Sequence, residues 1–169
     1  MPKNVLVVDG QGGRIGRALV ERLAARASSS RTAFTVTAVG SNAMATANML
    51  KGASGVRGAT GENAVAVCAR HADVIVGPLG IIVADAMLGE ITPSIAAAIS
   101  SSEAVRVLIP MNLSQCENYV VGVRENSLTA LLDEAADAVL RFLRSPHPKL
   151  QPEEAETADT EPEDGDSAP

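Results

Sequence analysis

Four glycines, Gly10, Gly12, Gly13 and Gly16, follow an apolar run and open a stretch of helical periodicity. At a strand-to-helix junction, glycine permits a turn with positive φ and removes side-chain bulk. The N–H groups of the helix's first turn can then face an anion, which the helix dipole favours. Gly10, Gln11, Gly12, Gly13, Arg14 and Ile15 are therefore the candidate phosphate-binding loop. Asp9, where the apolar run ends, is placed to orient a ligand hydroxyl or to hold the loop's own N–H groups. A tight turn with no ligand would use the same glycines.

The loop departs from the dinucleotide pattern G-x-G-x-x-G, because Ile15 stands where the third glycine belongs. It fits G-x-x-G-x-x-G through Gly10, Gly13 and Gly16, a variant that resembles extended and atypical short-chain reductases. A nicotinamide dinucleotide usually needs a second marker, an acidic residue at the end of the next strand that holds the adenosine ribose. Here that place reads Val39-Gly40-Ser41-Asn42. Ser41 and Asn42 could bond a ribose or phosphate, and each equally fits a helix cap. No Arg stands close enough to greet a 2′-phosphate, and no G-K-[ST] follows the loop, which excludes an ATPase-type P-loop. NAD(P) or another nucleotide stays open as cofactor.

Other residues that could act belong to segments expected at the same sheet edge. Gly77-Pro78-Leu79-Gly80 would present backbone without bulk, as an exit turn after a strand, with Gly77, Pro78 and Gly80 as contacts. Asn112 and Ser114 lie just beyond another strand, where binding groups are common. Thr60, Glu62 and Asn63 could add polar groups, with Thr60 also a helix cap. Cys116 has no histidine for a base: His71 falls at the opposite edge and His147 in the tail. Cys68, among Ala66, Val67 and Ala69, reads as core. Tyr119 has Val123 four residues on, so no Tyr-x-x-x-Lys acid is formed. No catalytic set emerges, and with so few His and Cys no metal site is expected.

The elements that must position these groups alternate. Lys3–Asp9 is a short β-rich run, Ile15, Leu19 and Leu23 share a helical face, and Phe34–Val39 is a second strand. Ser41 or Asn42 opens a helix through Leu50, and Thr60 caps another from Gly61 to about Arg70. Asp73–Val76 is the third strand, and a helical segment is expected over Ile81–Leu88. Thr92-Pro93 starts the next helix, since proline at the first helical position loses no needed N–H. Val105–Ile109 and Tyr119–Val123 complete about five mostly parallel strands. Ser127 caps a last helix whose Leu128, Leu131, Leu132, Ala135, Val139, Phe142 and Leu143 form one apolar stripe. The expected fold is α/β, a three-layer Rossmann-like sandwich.

Composition narrows the partners. Apolar residues make 46% of the chain and aromatics 2%, so the core is aliphatic, as in sheets covered on both faces. From Ser145 to Pro169 there are eight acidic residues and one Lys, whereas residues 1–144 carry thirteen basic and twelve acidic ones. The tail, 145–169, also holds five of the nine prolines and is expected to be disordered beside a single 1–144 nucleotide-binding-type domain. A near-neutral domain with one Tyr, two Phe and no Trp lacks the basic stripe and stacking platform that nucleic acid needs. The longest apolar stretch is too short to span a bilayer. A strand begins within three residues of Met1, leaving no room for a signal peptide, so the expected location is cytoplasmic. Homo-oligomerisation stays open.

Several strings in order are similar to one small bacterial family, domain of unknown function 3842: Val8-Asp9-Gly10-Gln11-Gly12-Gly13-Arg14-Ile15-Gly16, Ala59-Thr60-Gly61-Glu62-Asn63-Ala64 and Val76-Gly77-Pro78-Leu79-Gly80-Ile81-Ile82. Met87-Leu88-Gly89-Glu90-Ile91-Thr92-Pro93 and Ile109-Pro110-Met111-Asn112 resemble it as well. The resemblance covers residues 3 to about 143 and implies a Rossmann-like fold, but no activity. The expected function is binding of a nucleotide or phosphorylated small molecule, as a sensor or carrier; the alternative is an NAD(P)-dependent reductase. Because the tail has only Leu150 to bury, removing residues 146–169 should leave the melting temperature nearly unchanged. A loss of several degrees in a thermal scan of the truncated chain would show that the tail docks.

Overall fold

The structure is a computed structural model that describes residues 2–27, 29–110, 120 and 127–145. Strand β1 (Lys3–Asp9) lies in the middle of the sheet. It is flanked by β2 (Phe34–Gly40) on one side and β4 (Val74–Pro78) on the other, with β3 (Arg57–Thr60) and β5 (Val105–Ile109) at the edges. The order is β3-β2-β1-β4-β5, and every pair is parallel. Helices α1 (Arg14–Ala27), α2 (Ala43–Leu50), α3 (Glu62–Ala69), α4 (Pro93–Ser100) and α5 (Leu128–Arg144) connect and cover it. The sequence-based fold class holds.

The two-residue period of the strands sorts the core into two layers. Val5 and Val7 of β1, with Val74 and Val76 of β4, face Leu19, Val20 and Leu23 of α1, Met49 of α2 and the stripe of α5. Leu6, Val8 and Ile75 point the other way, onto Val65 and Ala69 of α3 and Ile95, Ala96 and Ile99 of α4. Buried on both faces, these strands read as continuous apolar runs. Each fully buried Leu or Ile contributes roughly 1.5–3 kcal/mol of burial. Arg22 and Arg26 of α1 pair with Asp133 (both 3.1 Å), and Arg26 also with Asp137 (2.7 Å), tying α1 to α5.

Four boundaries differ from the sequence-based expectation. Arg57–Thr60 is an edge strand, not the approach to a helix, and Thr60 is its last residue. Helix α3 is entered from Gly61, at φ 94°, with no side-chain cap. Strand β4 does not break at Gly77: Gly77 and Pro78 pair with Leu108 and Ile109. A Cβ on Gly77 would collide with the Val8 carbonyl oxygen, so the glycine serves the close approach of β1. The segment expected to be helical over Ile81–Leu88 is instead a short 3-10 helix, Leu79–Ile82, followed by a loop. In that loop Asp85, Met87 and Leu88 adopt φ values of 62°, 57° and 60°, which no helix tolerates. The strand expected at Tyr119–Val123 and the acidic tail fall outside the described residues, Val120 and Ser145 apart.

Thr46 ties three elements together. Its buried hydroxyl accepts from the Gly40 N–H (3.2 Å) and lies within bonding distance of the Asn42 and Ala59 carbonyls and the Thr60 hydroxyl. Thr46→Val keeps the shape but strands these groups, so urea denaturation should show a loss of about 1–3 kcal/mol.

Candidate functional site

The strand order reverses between β1 and β4, and there the glycine loop ends β1. In open parallel sheets this crevice is where ligands are held. A cleft of about 510 Å³ lies on it, walled by Asp9 to Ile15, Ala18, Met87, and Leu128 and Leu132 of α5. The structure thus brings Asp9, Gly10, Gln11, Gly12, Gly13, Arg14 and Ile15 to one cavity. Ser41 and Asn42 stand beside it at the end of β2. Gly77, Pro78 and Gly80 do not line it, and Asn112 lies outside the described residues together with Ser114 and Cys116.

The loop is rigidly held. Asp9 accepts hydrogen bonds from the N–H groups of Gly10 (2.8 Å) and Gly16 (2.7 Å), bridging the end of β1 to the start of α1. Helix α2 clamps it from the side: Asn42 Nδ2 donates to the Gln11 carbonyl (3.0 Å) and Asn48 Nδ2 to the Gly12 carbonyl (2.8 Å). Gly13 takes φ +63°, and a Cβ there would come within 2.5 Å of the Ala45 carbonyl oxygen. Gly13 is therefore required by the backbone whether or not a ligand binds. Gly12 differs, since the nearest atom to its ideal Cβ is Arg14 Cγ, 3.9 Å away. Among the described residues, the amides of Gly12 and Arg14 have no hydrogen-bond partner, and the exposed Arg14 makes no ion pair.

A residue absent from the sequence-based set stands at the other end of the loop. Glu90 Oε2 accepts from the Gln11 N–H (2.8 Å), Ser41 Oγ (2.6 Å) and Asn42 Nδ2 (2.8 Å). It is carried there by the left-handed loop, whose three non-glycine residues at positive φ cost roughly 1–2 kcal/mol each. Met87 and Ala86 repay part of that by burial. The tip, Leu88, is 97% exposed. Nothing in the local sequence around Glu90 announces its partners, which lie 48 to 79 residues away.

The two carboxylates are tuned in opposite directions. Burial pushes the Asp9 carboxyl above its usual range, against the N–H groups of Gly16, Gly10 and Ile15, and the nearby Glu90 charge adds to the rise. Burial also works against the Glu90 charge, but its bonds to Ser41, Gln11 and Asn42 outweigh it and hold Glu90 below the usual value. Ser41 and Asn42 do both things expected of them only in part. Asn42 caps α2 through Oδ1 to the Ala45 N–H (2.8 Å), whereas Ser41 caps nothing and binds Glu90.

Elsewhere, Cys68 and His71 line a second cavity of about 430 Å³ with Arg57 and Thr37, at the opposite end of the sheet. Cys68, expected in the core, is only half-buried and packs against the edge of the core cluster. Among the described residues no group of His, Cys, Asp and Glu could hold a metal ion, and no helix is long and apolar enough to cross a membrane.

A family model described as a domain of unknown function (DUF3842) matches residues 4–144. The chain belongs to this family. No curated protein and no solved structure matches it. In this DUF3842 chain the match takes in the glycine loop, Glu90 and α5 alike.

The lowered Glu90 value makes a stability contribution that is present above the ordinary carboxylate range and lost as pH falls through the folded-state value. Asp9, raised, contributes with the opposite sign. Glu90→Gln should therefore be less stable than wild type at about pH 7, and the gap should close towards about pH 3. Urea denaturation of both proteins at the two pH values checks this.

Proposed function

We propose that the carboxyl edge of this sheet binds a nucleotide or other phosphorylated small molecule, as a sensor or carrier. One observation carries the reading: at the cleft on the glycine loop, Gly12 and Arg14 have amides without a partner among the described residues, beside a cation that is also unpaired. An anion brought there would take hydrogen bonds that the fold leaves unmade and would meet the positive end of α1. Charge-assisted bonds of that kind are about twice as strong as neutral ones. The apolar wall from Met87, Leu128 and Leu132 suits the unphosphorylated part of the same molecule. Among the described residues, the titratable side chains of the cleft are Asp9 and Arg14. Asp9 is committed to holding the loop, and Arg14 is suited to binding charge, not to moving protons.

Gly12 offers the test, because a side chain there meets nothing in the fold yet enters the cleft wall. Calorimetric titration with pyrophosphate, ribose 5-phosphate, ATP, GTP and NAD should find a ligand for wild type. Gly12→Val should weaken that ligand at least tenfold, about 1.4 kcal/mol. Its circular dichroism and urea midpoint should stay close to wild type. A folded variant that binds the best ligand as tightly as wild type does would overturn the reading.

A further inference from the structure

We infer that Glu90 and Met87 occupy the nucleoside side of the glycine loop, so that the site admits a short phosphorylated ligand at the β1–β4 crevice and rejects a dinucleotide. The inference rests on the phosphate-binding reading proposed above and specifies its ligand class.

A dinucleotide crosses the switch point, with its phosphates on the glycine loop and its adenosine ribose over the end of the second strand. On that side of this loop stand three polar donors that a ribose would use, Gln11 N–H, Ser41 Oγ and Asn42 Nδ2. All three converge on one atom, Glu90 Oε2, at 2.8, 2.6 and 2.8 Å. A ribose hydroxyl would have to displace a charged acceptor from three hydrogen bonds to reach them. Space is closed as well as polarity. An atom placed where Gly10 would carry a Cβ lies 2.6 Å from Met87 Sδ, 2.9 Å from Ser41 Oγ and 3.2 Å from Glu90 Oε2. Met87 is itself buried there, packed with Ala86, Ile81 and Ile91 into the core of that sheet face.

The cleft of about 510 Å³ remains, lined by Met87, by the loop through Arg14 and by Leu128 and Leu132 of α5, with none of Ser41, Asn42 and Glu90 in its wall. The loop is thereby polarised: a carboxylate stands at its Gly10–Gln11 end and a guanidinium at its Gly13–Ile15 end. A monophosphate or diphosphate ester satisfies the cationic end without approaching Glu90. A second phosphorylated nucleoside on the β2 side meets a negative charge and a thioether in the same place. The carboxylate is kept in its charged form, since its hydrogen bonds hold it below the usual range.

Calorimetric titration of the full chain with ribose 5-phosphate, pyrophosphate and NAD tests this. Wild type should bind ribose 5-phosphate or pyrophosphate at least tenfold more tightly than NAD. The variant Glu90→Ala, if circular dichroism shows it folded, should bind NAD at least tenfold better than wild type. If the variant does not fold, the wild-type ratio alone decides. Wild type binding NAD as tightly as the short probes would overturn the inference and leave the phosphate loop standing, provided Gly12→Val abolishes both. Glu90→Ala weakening NAD would also overturn it, because Glu90 would then be reading the ribose. Wild type binding none of these three probes would overturn this inference, and failure to bind ATP and GTP as well would remove the phosphate-binding reading with it.

Discussion

The carboxylate of Asp9 holds the end of a strand to the start of a helix by accepting from two amides six residues apart in the chain, Gly10 and Gly16. The rest of the edge is built outward from that clasp. It fixes the loop's path, so that Asn42 and Asn48 of α2 can bond the carbonyls of Gln11 and Gly12, and so that Gly13 can press against Ala45. Burying a carboxylate is costly unless its lone pairs are satisfied, and the amides at the helix start supply what water would have given. One consequence is that the helix dipole is partly answered from within. What is left for a ligand is the set of donors Asp9 does not reach, on the Gly12 and Arg14 side.

Packing explains most of the loop's glycines before any ligand is considered. Gly13 abuts the α2 backbone, and Gly16 abuts Met49 and Asp9. Gly10 lies beneath Met87. Gly12 alone of the four has open space where a side chain would go. A glycine pattern of this kind is therefore mixed evidence for binding, and the unpaired amides mark off the part proposed to face a ligand from the merely close-packed part.

The central strands, α1, α4 and α5 could be read from the sequence because period and caps agree there: Thr92 and Ser127 do cap their helices, through the Ile95 and Ala130 amides. Strand β3 could not. Arg57-Gly58-Ala59-Thr60 carries no β-branched run and lies at an exposed edge, where burial leaves no alternating mark. The loop from Asp85 to Gly89 misled through its composition, since Ala, Met and Leu favour a helix that the positive φ values forbid. Asp9 and the glycine loop stood out locally. Glu90 did not, because its role comes from a fold that brings residues of three separate turns together, and a single sequence gives no sign of such a meeting.

The place of β1 bears on how the chain acquires its shape during synthesis. Its partner on one side, β2, follows within about forty residues, but its partner on the other, β4, ends only at Pro78. While the nascent chain is short, the β1–β2–β3 half can form with α1 and α2, leaving the far rim of β1 without a neighbour. Unpaired strand rims are templates for pairing with other chains. Val5 and Val7, wholly enclosed in the finished protein, stand on that rim in the interval. The vulnerable period ends when β4 docks, the event that also creates the crevice beneath the glycine loop.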